Sequence, residues 1–99
     1  MTTLHVLSHS PFTDNRLGSC LRLLGHADAI LLTGDAVYAL QPGSEPLRQL
    51  AERQLATRLF ALEEDLLARA IDPAGSAQAI DYSGFVELSI RFDKVNSWL

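Results

Sequence analysis

The chain has 99 residues, with 12 acidic side chains against 8 basic ones and a formal charge of −4. That length fits one domain spanning 1–99, and the acidic balance gives no electrostatic reason to coat nucleic acid or an anionic membrane. Hydrophobic residues at 47% against 20% charged exclude disorder, and no apolar run approaches the roughly 20 residues that span a bilayer.

In chain order, short β-like runs alternate with helical patterns. The first run, Leu4-His5-Val6-Leu7, stops at Ser8-His9-Ser10-Pro11. Leu17, Leu21 and Leu24 then recur at helical spacing, with Cys20 beside them and Gly25 at the end. Thr13 or Asp14 is the expected cap of that helix. Ala29-Ile30-Leu31-Leu32 is apolar throughout and closes on Thr33-Gly34-Asp35, where Gly34 suits a tight turn and Asp35 a cap. Gln41-Pro42-Gly43-Ser44 reads as a loop, and Pro46 suits the first turn of a helix carrying Leu47, Leu50 and Ala51.

Leu59-Phe60-Ala61-Leu62 is a third apolar run. Glu63-Glu64-Asp65 then places negative charge at the positive end of a helix running through Leu66, Leu67 and Ala70. Pro73 and Gly75 break the chain before a weaker run, Gln78-Ala79-Ile80. The last segment sets Phe85, Leu88 and Phe92 on one helical face and is read as helix, although Val86, Ile90 and Val95 also suit extended chain. Runs apolar at every position fit strands covered on both faces. The expectation is therefore a small three-layer α/β domain with a mainly parallel sheet of four to five strands. Leu4–Leu7, Ala29–Leu32 and Leu59–Leu62 are its expected interior strands. A domain this small is expected to complete its burial by oligomerising.

Cys20 is the one cysteine, so no internal disulfide, CxxC pair or zinc knuckle can form. Met1–Leu7 has no basic n-region and no small-residue cleavage site, so no signal peptide is expected and the cytoplasm is the default location. Cys20 is also the residue with the strongest intrinsic nucleophilicity. A working thiolate needs exposure and a nearby cation, and Arg16 stands one turn earlier. Against that, Cys20 falls in the leucine stripe, about two turns inside the expected helix. Packing as a small buried hydrophobe is the leading reading.

His5 lies in a strand and His9 in the following loop, and neither they nor His26 have a partner set to complete a metal site, so no metal is expected. The loop Ser8–Thr13 leads from a strand into a helix start, where an anion can bind, but neither GxGxxG nor GxxxxGK[ST] is present. Glu63, Glu64 and Asp65 point in different directions around a helix and do not make a catalytic dyad. Tyr82, Phe85, Phe92 and Trp98 read as core or interface, with Arg91 and Lys94 the cations among them.

Several strings together resemble the DsrH/TusB family. They are Leu4-His5 with Ser8-x-Ser10-Pro11-Phe12, then Gly34-Asp35-Ala36-Val37-Tyr38-Ala39, then Ala61-Leu62-x-x-Asp65-Leu66-x-Ala68-Arg69. Asp81-Tyr82-x-Gly84-Phe85-Val86-x-Leu88 and the closing Trp98 follow in register. The resemblance implies an accessory subunit of a sulfur-relay complex, assembled as a heterohexamer with TusC/DsrF-like and TusD/DsrE-like subunits. Such a complex passes persulfide sulfur between carrier proteins, toward 2-thiolation of the tRNA wobble uridine in one branch and in sulfur oxidation in the other. It implies that the principal persulfide cysteine sits on the TusD/DsrE-type partner, and that some members carry a cysteine where Cys20 stands. Thiol-to-thiol transfer needs no cofactor, and none is expected. Two other readings stand beside the accessory one: Cys20 as a persulfide carrier, and a small ligand-binding domain using the Ser8–Thr13 loop.

Overall fold

Strands that are apolar at every position need cover on both faces, and the sheet provides it. The computed structural model of the chain describes residues 2–73 and 75–98. Five strands pair in the order β4-β3-β2-β1-β5, all parallel: β1 (Thr3–Leu7), β2 (Ala29–Leu32), β3 (Leu59–Leu62), β4 (Gln78–Ile80) and β5 (Lys94–Trp98). The three runs expected inside are the three interior strands, and β2 and β3 are buried at every position.

Alternation along each strand divides the core in two. On the first face Leu7, Ile30, Leu32, Leu59 and Ala61 pack under α1 (Arg16–Leu23), a 3-10 helix (Gly34–Leu40), α2 (Glu45–Glu52) and α3 (Glu63–Ala68). On the second face Leu4, Ala29, Leu31, Phe60 and Leu62 pack under α4 (Tyr82–Arg91), through Leu88 with Phe85 beside it. The chain steps from β1 to β4 in one direction with its helices on the first face. It then returns from β4 to β5, at the opposite edge, with α4 on the second face. Crossovers of one hand require that change of face when the direction of travel reverses.

Local chemistry sets the boundaries. Ser44 caps α2 by accepting from the Leu47 amide at 3.3 Å, with Pro46 in the first turn. Asp81 caps α4 by accepting from the Gly84 amide at 2.9 Å. Gly34 takes φ +51°, and an added Cβ would meet the Ser8 carbonyl oxygen at 3.3 Å, so the turn after β2 is held for glycine. Its amide donates to Asp65 Oδ2 at 2.8 Å, and Asp35 pairs with Arg69 at 2.9 Å. Thr33, not Asp35, takes the cap position there. Asp65, at the acidic start of α3, thus anchors the turn after β2 as well as facing a helix dipole.

The C-terminal segment corrects the sequence reading. Its helix ends at Arg91, and residues 94–98 form a fifth strand on β1. Thr2 turns the chain back: its amide donates to Asp93 Oδ2 at 2.9 Å, while Thr2 Oγ1 and Thr2 O accept from the Asp93 and Lys94 amides. Phe85, Leu88 and Phe92 do share the second core, as their spacing indicated.

Candidate functional site

Ligands of open α/β sheets gather beyond the strand C-termini where the strand order reverses, which here is between β1 and β5. The loop following β1 contains Ser8–Thr13, and α1 with Cys20 follows it.

The loop folds back on Ser10. Ser10 Oγ accepts from the Phe12 amide, and the Thr13 amide and hydroxyl both donate to the Ser10 carbonyl. Asn15 occupies the cap position of α1 without a side-chain bond, while Asp14 Oδ1 accepts from the Arg16 amide at 3.0 Å. That backbone bond is the largest influence holding the Asp14 carboxyl below its usual range. A carboxylate therefore already sits at the helix start, where an incoming anion would have to bind. The groove beside it, about 350 Å³, is lined by Pro11, Phe12, Asp14, Leu17, Glu45 and Pro46. Its two acids suit a phosphate poorly.

Because α1 begins at Arg16, Cys20 lies one turn into it rather than two. Its side chain is fully buried (0% exposed) between Leu17 and Leu21. Burial, and next the charge of Asp28, push its thiol up to about 12. At neutral pH the buried thiol therefore stays protonated. Arg16, the cation expected to favour the thiolate, pairs its guanidinium with Asp14.

The three histidines do not converge, and no group of three metal-ligating side chains forms among the described residues. His9 Nδ1 is 4.0 Å from Asp14 in the loop, and His26 is exposed. His5, in contrast, is buried inside β1, and it nucleates a polar cluster that the sequence did not disclose. Its Nε2 lies 3.3 Å from Asp28 Oδ2, and Trp98 Nε1 donates to its Nδ1 at 3.0 Å. Asp28 also accepts from the Thr3 amide at 2.9 Å and the Gly25 amide at 2.8 Å. Burial works to raise the Asp28 carboxyl, but the Gly25 and Thr3 amides and His5 outweigh it and hold it below its usual range. A buried polar side chain demands partners, so His5 in an apolar run was a signal that partners exist. It could not say that they lie 23 and 93 residues away.

Arg16, Arg48 and Arg69 are each committed to carboxylates, and Arg58 donates to the backbone carbonyls of Gly25 and Asp28. No helix among the described residues is long and apolar enough to cross a membrane.

Comparison with known proteins adds kinship to this geometry. The family profile described as "DsrH like protein" matches residues 9–95. Protein TusB of Yersinia enterocolitica is 37% identical over 97 residues, covering 96% of this chain and 99% of the relative. Protein TusB of Erwinia tasmaniensis is also 37% identical over the same span, and that of Escherichia coli O81 is 35% identical.

Proposed function

The chain belongs to the DsrH family, and from that membership we propose that it is a subunit of a sulfur-relay complex serving 2-thiolation of the tRNA wobble uridine. The observation that carries the reading is the near full-length similarity to TusB proteins, which covers 96% of this chain. Its partners are the TusC- and TusD-like subunits, and the persulfide is carried on a partner's thiol.

The site supports an accessory rather than a carrying role. Persulfide transfer begins when a thiolate attacks the outer sulfur of a donor persulfide, leaving the donor thiolate behind. Cys20 has neither the exposure nor the ionisation for that attack. On this reading Cys20 packs α1 against the sheet. The Ser8–Thr13 loop likewise serves shape, with the Phe12 amide and the Thr13 amide and hydroxyl spent within it.

The test is twofold. Coexpression with TusC- and TusD-like chains should yield one complex on gel filtration. Deleting this subunit should abolish 2-thiouridine in wobble-position tRNA, read by nucleoside mass spectrometry, and a Cys20→Ala copy should restore it. Thiolation that persists without the subunit, or restoration that needs Cys20, overturns the reading.

A further inference from the structure

The His5 cluster holds the least covered strand of the sheet. Lys94, Val95, Asn96 and Ser97 of β5 are exposed, and only Trp98 is partly buried, against the first core. Its two ends are tied differently. A parallel backbone ladder to β1 runs its whole length; beyond that, the near end is clamped by Thr2 and Asp93, while at the far end Trp98 donates to His5.

An indole nitrogen can only donate, so His5 Nδ1 must be the acceptor and the single ring proton must sit on Nε2, facing Asp28. A second proton, taken from solvent, would occupy Nδ1 and set two donors against each other. The Trp98 bond would be lost. The charged ring would keep Asp28, a carboxylate that also has the Thr3 and Gly25 amides to hold it in place.

We propose that the far half of β5, Asn96–Trp98, is a proton-operated latch. Its side-chain hold on β1 is made while His5 is neutral and lost when His5 takes a second proton, which leaves the Trp98 end on the backbone ladder and its core packing alone.

The surrounding charges permit this direction. From the loop before β2 come Asp28, which meets the ring at Nε2, and the exposed His26. From α1 come Cys20, which stays neutral, and Arg16 and Arg22, which bond Asp14 and the Ser19 hydroxyl. Arg58 donates to the Asp28 carbonyl at 2.7 Å, and β5 itself brings Lys94, next to Asp93. Strand β2, on the other side of β1, is apolar throughout. Release takes up a proton, so acidification drives it. It also exposes a sheet edge and an aromatic side chain, the two features by which such a fold adds another strand or partner.

Trp98 is the sole tryptophan, so the full chain carries its own reporter. On acidification from pH ~7.5 to ~5, Trp98 emission should move to the red. Over the same range, hydrogen-exchange protection of Asn96–Trp98, corrected for the intrinsic pH dependence, should fall about tenfold relative to β2. His5→Gln, which keeps a neutral donor and acceptor, should remove both changes, and His9→Gln should keep them. NMR of the wild type supplies a readout independent of any variant. The Trp98 indole proton must lose protection over the same pH range in which the His5 ring titrates. A flat wild-type response, changes that persist in His5→Gln, loss of protection shared by β2 and β3, or an indole transition that does not track His5 each overturn the latch.

Discussion

Strands β2 and β5 lie on either side of β1 and pair with it in the same parallel sense, yet different physics holds them. Every residue of β2 is buried, and its side chains divide between the two cores. In β5 only Trp98 is partly buried, and beyond the backbone ladder to β1 the strand is held by the Thr2–Asp93 clamp and the Trp98–His5 bond. The first strand is placed by burial, which is non-directional and shared over many atoms. The second is placed by directed bonds, a backbone ladder and a few side-chain contacts, and a single substitution can remove any of the latter.

The largest expected effect breaks the burial side of that contrast. Ile30→Ala opens a cavity at a fully buried site beneath the first-face helices. It should cost ~3 kcal/mol in chemical denaturation, with the sheet losing stability as a unit. The next effect concerns the polar cluster. Asp28→Asn keeps the shape but sets an amide group against at least one of the donors now served by the carboxylate, and it should cost ~2 kcal/mol at neutral pH. Because the folded Asp28 carboxyl lies below its unfolded value of about 3.9, its contribution is full above that pH. The contribution is lost as pH falls through the lower folded value. Denaturation curves between pH ~2 and ~6 should therefore show an acid loss in the wild type that Asp28→Asn flattens.

The same contrast explains what could be read from the sequence. Ala29–Leu32 and Leu59–Leu62 announce themselves because a strand buried on both faces needs an apolar residue at every position. Lys94–Trp98 has no such pattern, since little of it is buried, and the apolar periodicity of α4 runs straight into Phe92 and Val95 and hides the boundary. The strand is recognisable only from Thr2 and His5, at the other end of the chain. Cys20 was legible as a member of the leucine stripe, and its burial agrees with that pattern. Asp28 was not singled out, because a short acid beside a turn has many uses, and its role depends on amides and a histidine brought in by the fold.

A smaller effect is expected at Cys20. Cys20→Ala removes one buried sulfur from the first core and should cost ~1 kcal/mol through a small cavity. The intact thiol should resist iodoacetamide under native conditions near neutral pH, because it is both buried and pushed up to about 12. Alkylation should appear only when denaturant opens α1, so its denaturant dependence should follow the unfolding curve. Labelling that runs ahead of unfolding would show that α1 opens separately and would return Cys20 to consideration as a carrier.

The smallest effect isolates burial with shape held nearly constant. Val95→Thr exchanges a methyl for a hydroxyl at a site that is 44% exposed on the β5 edge. Both residues are β-branched and suit a strand, and water can reach the new hydroxyl, so stability should move by no more than ~0.5 kcal/mol. Val37→Thr makes the same exchange at a site with no exposure, where the 3-10 helix itself enters the first core. There the hydroxyl loses water, and the cost should reach ~1–3 kcal/mol. Denaturation midpoints of the pair, measured side by side, should therefore differ clearly. Equal losses would mean that β5 is covered in solution, with Val95 buried against another chain.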